Sequence, residues 1–421
     1  MKRRILFGMV TTAAIMSSQF AGAVSPTPDE MAEARRWAAA KVEGNGETTA
    51  GQAGRQYQAQ WIWCNAAPQR PIHFPMFGFA RFRKTIEVAS PPERATAYIT
   101  ADTYYRLWVN GQLAMHGPAR SSRGKATVDP VDVGHLLKQG KNTLLIQVFH
   151  GMCPSEAIIQ APGLLCELEA MSGGKRAIIA ATGATWEAAE IVAWDPRQSF
   201  RFTCQRGWVE DYDARRELEE KWQPAVVLGS VGMAPWRRVS MRDVPMPAPL
   251  LPVRPAKLLA AERGDGFVGK VEPGGGQLQN WQWDLSRSEW DRRAEWFRRL
   301  ETERLRADAA AAVNPMAVTS KGTGDTLLQG DGASIAYDFG LGYVGFVGFE
   351  VTGHAGQVVE IAWNERLSGD NAVRPRAQAG NNAVRYTLRE GRQSFLAFHP
   401  QFVRFLRIVQ RGQGQLTLHR L

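Results

Sequence analysis

The sharpest pattern in the chain lies between residues 95 and 150, where apolar and polar positions alternate with a period of two. Tyr105, Leu107 and Val109 alternate with Tyr104, Arg106 and Trp108, the signature of a strand with one buried face. Asn110-Gly111 closes the run. Both central residues of a type I′ turn need positive φ, and this dipeptide tolerates it best. A return strand over 112–116 follows. After a polar loop, a third run with Leu144, Ile146 and Val148 on one face is entered through Gln139-Gly140-Lys141-Asn142. Upstream, Ala80, Phe82, Lys84, Ile86 and Val88 alternate with Arg81, Arg83, Thr85 and Glu87, and Ala97, Ile99 and Ala101 mark the next strand. Segments 164–171 and 177–181 read as further short strands. About eight strands with closely spaced turns and no helix between 60 and 200 predict a β-sandwich.

Beyond residue 240 the pattern changes. Pro245, Pro247, Pro249, Pro252 and Pro255 crowd one stretch; proline at that density neither pairs in a sheet nor continues a helix, so 241–260 is expected to be a stiff linker. Residues 286–313 predict one amphipathic helix. Ser286 and Glu289 form a capping box, Trp290, Phe297, Leu300 and Leu305 lie on or near one face, and Asn314-Pro315 stops it. Its arginine-rich opposite face is expected to be solvated. From 331 to 421 strand patterns return. The expected fold is therefore mainly β: two jelly-roll or β-sandwich domains, 57–240 and 261–421, joined by a proline-rich linker, with one amphipathic helix before the second sandwich.

The N-terminus predicts export. Residues 1–23 carry a basic start, an apolar run from Ile5 to Met16 and the A-x-A site Ala21-Gly22-Ala23, a signal peptide cleaved after Ala23 that delivers the protein to the periplasm or beyond. Thr27-Pro28-Asp29-Glu30 starts a short helix, and 43–56 reads as a flexible tether within the 24–56 segment. No later segment approaches eighteen apolar residues, so no membrane span is expected.

Composition adds boundaries. The chain has 421 residues, 44% hydrophobic and 22% charged, as in soluble globular proteins of two or three domains. The formal charge of +10 is spread rather than clustered, which argues against nucleic acid as a partner. Of the four cysteines, Cys153 and Cys166 flank a short Pro/Gly loop and are the first pairing to test; buried thiols at Cys64, Cys153, Cys166 and Cys204 are the alternative. No CxxC and no histidine ligand spacing occur, so structural zinc is not expected.

Several phrases resemble one family. Ala101-Asp102, Tyr105, Trp108-Val109-Asn110-Gly111, Gly117-Pro118, Val131-Asp132-Val133, Leu137 and Gly140-Lys141-Asn142 resemble the N-terminal jelly-roll domain of bacterial α-L-rhamnosidases, a glycoside hydrolase family. Glu210-Asp211-Tyr212-Asp213-Ala214-Arg215, Trp222 and Pro235-Trp236-Arg237 are similar to the segment after that jelly roll, with Val209 where the family has glycine. Tyr337-Asp338-Phe339-Gly340, Gly345-Phe346-Val347-Gly348-Phe349, Asn364-Glu365 and Phe398-His399-Pro400 resemble the sandwich preceding the catalytic barrel, with Gln401-Phe402-Val403-Arg404-Phe405 in place of a His-Gly-Phe-Arg-Tyr phrase. The resemblance implies an (α/α)6 barrel bearing the catalytic acids. Such a barrel needs a dozen successive helices and the pattern here offers two. Asp291-Arg292-Arg293 with Trp296 echoes a scrap of the catalytic motif but sits on an isolated helix. The expectation is a non-catalytic N-terminal portion with a carbohydrate-binding or accessory role. The alternatives are a subunit whose barrel is on another chain, or a structural surface module.

Two familiar strings carry no chemistry. Gly340-Leu341-Gly342-Tyr343-Val344-Gly345 satisfies G-x-G-x-x-G but runs into a strand rather than a helix N-terminus, and Asp338-Phe339-Gly340 has no other kinase element around it. Candidate site residues are Tyr104, Arg106 and Trp108, whose shared face could stack on and hydrogen-bond a rhamnose-containing or other glycan. Glu210, Asp211 and Asp213 could ligate calcium; an ion pair of Asp213 with Arg215 is the competing reading.

Overall fold

The computed structural model describes residues 55–65, 78–151, 160–194, 199–200, 202, 208–247, 251–271, 287–377 and 380–421. The expected signal peptide, leading helix, Ser286 cap, Cys153 and Cys204 lie outside the described residues.

Alternation dictates the first sandwich. Its strands are β1 (Gln60–Trp63), β2 (Gly78–Val88), β3 (Arg94–Asp102), β4 (Tyr104–Val109), β5 (Gln112–Gly117), β6 (Lys125–Asp132), β7 (Gly140–His150), β8 (Gly163–Ser172), β9 (Lys175–Ala181) and β10 (Glu187–Glu190), with β12 (Gln223–Pro224), β13 (Val226–Ser230) and β14 (Arg238–Met241) following β11 (Glu210–Asp213). One sheet has the order β13-β1-β8-β3-β6-β14, with β9 beside β8, and the other β12-β10-β2-β7-β4-β5. Between them Tyr105, Leu107, Val109, Ile146 and Val148 are fully buried with Phe82, Ile99 and Leu168. The β4–β5 turn is at Asn110 and Gly111, with φ of 51° and 79°, as the hairpin signal requires.

The second sandwich comprises β15 (Lys257–Gly264), α1 (Arg287–Arg293), α2 (Glu295–Thr302), β16 (Leu305–Ala307), β17 (Ala312–Val313), β18 (Thr326–Gln329), β19 (Ala333–Gly345), β20 (Gly348–Gly353), β21 (Val358–Asn364), the small pair β22 (Arg376–Ala377) and β23 (Gly380–Asn381), β24 (Ala383–Thr387), β25 (Gly391–Leu396), β26 (Gln401–Arg411) and β27 (Gln415–Arg420). Its sheets are β11-β24-β21-β26-β19-β15-β16 and β17-β18-β27-β20-β25. The two sandwiches are interlocked: β11, reached from the first, pairs in parallel with β24 of the second, and the chain then returns to add β12, β13 and β14 to the first. Accordingly, Phe79, Phe149, Ile191 and Trp194 of the first sandwich belong to the same apolar cluster as the second sandwich's core.

Two expectations are corrected. The helix predicted to reach residue 313 bends at Ala294 and ends at Thr302. There the buried Glu303 is drawn to Arg411 and Leu305 enters the sheet opposite Gly264, so tertiary pairing overrides the local pattern. The arginine-rich face is not simply solvated: Arg299 reaches Glu360 at 2.6 Å, Arg298 reaches Asp291 at 3.1 Å, and Arg293 donates to the Ser199 carbonyl. Cys166 is a free thiol packed in the first core, as is Cys64, the second of the two sequence readings for these residues; burial pushes both thiols up to about 12. Gly340 to Gly345 form the end of a strand, β19. Among the described residues no helix is long and apolar enough to cross a membrane.

Candidate functional site

Register places the outward face of β2, β7, β4 and β5 in rows. Phe79, Phe149 and Tyr104 form one; Arg81, Gln147, Arg106 and His116 the next; Arg83, Leu145, Trp108 and Leu113 the third. Tyr104, Arg106 and Trp108 thus share a face, as the alternation requires. The second sandwich, however, covers the first two rows. Arg106 is 1% exposed. Its Nη1 donates to the Leu396 carbonyl at 2.9 Å and its Nη2 to the Ala397 carbonyl, while the guanidinium lies over the Phe346 and Phe398 rings at 4.8 and 4.7 Å. The outward sugar-binding reading of Arg106 is therefore corrected: its planar donors are spent on the neighbouring domain's backbone. Tyr104 is half-buried between His116 and His399. Trp108, one row further out, is half-buried beyond the covered rows.

The segment from Leu396 to His399, between β25 and β26, is a strap held from both sides. Its carbonyls take Arg106 and, at Phe398, the His116 Nε2 at 3.2 Å. Its N–H groups are taken by Glu210: Oε1 accepts from Phe398 at 2.7 Å and His399 at 3.1 Å. Apolar rings close the joint, with Phe398 against Phe79, Phe149 and His116. Glu210 is buried, and neither its Oε2 nor the adjacent Trp194 indole nitrogen makes a well-formed hydrogen bond, although the indole N–H is near enough to favour the ionised carboxyl. Burial raises the Glu210 carboxyl to about 7, against the opposing pull of Arg106 and the two N–H groups. Burial likewise lowers Arg106 to about 10, with Glu210 pulling the other way, and holds His116 down at about 3, with Arg106 and His399 adding to the effect. His116 is neutral at any ordinary pH.

The calcium reading is also corrected. Alternation along β11 buries Glu210 and turns Asp211 and Asp213 to the other side. Asp211 faces Arg385 at 3.4 Å. Asp213 caps the 3-10 turn at 214–219 through the Arg215 N–H and pairs with the Arg215 guanidinium at 2.7 Å, the competing sequence reading. Among the described residues no group of three histidines, cysteines or acids could hold a metal. Sequence reasoning missed the joint itself. Glu210 and Phe398-His399 were singled out as separate phrases, and nothing local told that one binds the other across 188 residues.

Residues 90–254 match the family model described as the α-L-rhamnosidase N-terminal domain. The matched segment is thus similar to that domain. It runs from just before β3 past β14 and includes β11, so the rhamnosidase-type domain contains the strand lent to its neighbour. Among solved structures, the GH78 family rhamnosidase of Bacillus sp. GL1 superposes with a TM-score of 0.66 at 20% identity, over 87% of this chain and 55% of that one. An α-L-rhamnosidase from Dictyoglumus thermophilum does so with a TM-score of 0.50 at 14% identity, over 86% of this chain and 35% of that one. The chain thus spans about half of the first and a third of the second, and at these identities the likeness establishes the fold. No curated protein matches the chain.

Proposed function

We propose that this chain serves as the non-catalytic, N-terminal portion of an α-L-rhamnosidase-like glycoside hydrolase, exported to the periplasm or cell exterior and contacting glycan through its first sandwich. What carries the reading is the segment 90–254, similar to the rhamnosidase N-terminal domain and locked onto a second sandwich by a buried joint. The glycan contact is assigned to the row that the joint leaves uncovered. There Trp108 lies beside Leu145 and Leu113, and further along the row the Arg83 guanidinium stacks over Trp222 at 4.2 Å. An indole at such a position stacks on the apolar side of a pyranose. The test is titration of the purified protein with rhamnose-containing oligosaccharides beside an aryl α-L-rhamnoside hydrolysis assay. Binding without turnover supports the reading; turnover abolished by mutating one of the chain's own carboxylates overturns it.

One observation favours a second reading, a subunit whose catalytic barrel is on another chain. Leu341, Tyr343, Val344 and Phe402 stand exposed together at 67%, 36%, 78% and 46% where β19 pairs with the start of β26. Contiguous exposed apolar side chains mark partner surfaces. Co-purification of a helical glycosidase that Val344→Lys releases supports this reading; a native chain that purifies alone, without rhamnosidase activity, removes it.

A further inference from the structure

The joint between the sandwiches contains two buried ions that do not touch each other. Arg106 gives its donors to the Leu396 and Ala397 carbonyls, and Glu210 accepts from two backbone N–H groups through one oxygen while the other has only the poorly aligned Trp194 indole N–H beside it. The carboxyl therefore sits in a dry site with a cation nearby but no ion-pair contact. A proton on it removes most of the cost of burial, whereas its ionised form bears the desolvation with incomplete compensation.

We propose that Glu210 is a proton-operated latch: in its protonated form it keeps the 396–399 strap closed onto Arg106 and His116, and on ionisation it lets the strap open and the two sandwiches loosen.

Among the described residues the charged and titratable groups around it are few. From β4 comes Arg106, from β5 His116, and on the strap His399; Trp194 offers an indole N–H, and Val384, beside Glu210 in the sheet, brings no charge. His116 is neutral across the relevant range. Arg106 keeps its charge up to about pH 10. The sign follows from linkage. The carboxyl is at about 7 with the strap closed and at about 4.3 when solvated. The closed state binds the proton more tightly, so its advantage is complete below about pH 4.3, falls through the interval to pH 7 and is constant above it. Opening should grow about tenfold per pH unit over that interval, several-hundred-fold in all.

The experiment is hydrogen exchange of the Phe398 and His399 amides in the full chain, expressed as protection factors between pH 4.5 and 8.5. The expected result is a protection factor that falls about tenfold per pH unit up to pH 7 and then levels, with the slope abolished in Glu210→Gln, which retains an acceptor oxygen for both N–H groups. A flat wild-type profile overturns the proposal. So does an unchanged slope in Glu210→Gln. Carbon-13 NMR of the glutamate carboxyls in the wild type decides the matter even where the variant fails to fold: a Glu210 signal titrating in the ordinary carboxylate range sinks the latch.

Discussion

Two buried ionic sites in this molecule are built on opposite plans. Under α2, Arg411 is bidentate to Glu303 at 2.8 and 2.9 Å and reaches Glu360 at 2.7 Å, and Arg299 meets the other oxygen of Glu360 at 2.6 Å. Arg374 holds the Glu303 carbonyl, and Arg407, fully buried, donates to the Leu300 carbonyl. For Arg411 and Arg299, charge answers charge within hydrogen-bonding distance, whereas Arg407, 3.6 Å from Glu303, is lowered by burial to about 10. Although burial pulls the Arg411 guanidinium down, Glu360 and Glu303 hold it above the ordinary arginine range. At the joint between the sandwiches, ions answer neutral backbone instead, and the carboxyl moves toward neutrality. A dry interior thus makes a rigid strut from a paired ion and a titrating group from an unpaired one.

The largest loss is expected at the strut. Glu303→Ala leaves Arg411 with Glu360 alone and takes from the buried Arg407 the carboxylate 3.6 Å away, and about 3–5 kcal/mol of stability should be lost in urea denaturation. At the joint, Arg106→Met leaves two strap carbonyls without a charged donor and should cost about 2–3 kcal/mol. Because Arg106 opposes the rise of the Glu210 carboxyl, the same change should move the wild-type transition to higher pH, which carboxyl NMR reads directly. Trp108→Ala, outside both sites, should cost about 1 kcal/mol or slightly more while weakening glycan binding about tenfold; unfolding on that substitution would mark Trp108 as core. The smallest effect belongs to Asp213→Ala, a lost cap worth about 1 kcal/mol, with a Tm that calcium leaves unchanged before and after substitution.

The first sandwich was legible because its strands are half-buried and alternate cleanly: Tyr105, Leu107 and Val109 all lie in the core the pattern assigned them. The same pattern identified the opposite face but not what covers it. A period of two says that Arg106 points away from Tyr105; it does not distinguish water from a second domain. The end of α2 was illegible for a related reason. No glycine or proline marks Thr302, and the signal that stops the helix is a salt bridge to Arg411, more than a hundred residues away. Glu210 illustrates the limit most clearly. Three acids in four residues suggest a cation, yet strand geometry separates Glu210 from Asp211 and Asp213 and gives each a different partner.

The lent strand β11 has a consequence for how the protein is made. Its partner β24 lies about 170 residues downstream of Asp213, so at about 5–20 residues per second the ribosome delivers it roughly 10–35 s later. For most of that interval the emerging first sandwich carries β12, β13 and β14, and so can close both its sheets, but the edge of Glu210 to Asp213 that faces β24 stays unpaired, the other edge meeting Ala193 and Trp194. A nascent chain stalled before residue 383 should therefore be a natural client for a chaperone. For the same reason, a gene fragment encoding the rhamnosidase-type domain alone would yield a protein that never leaves that state.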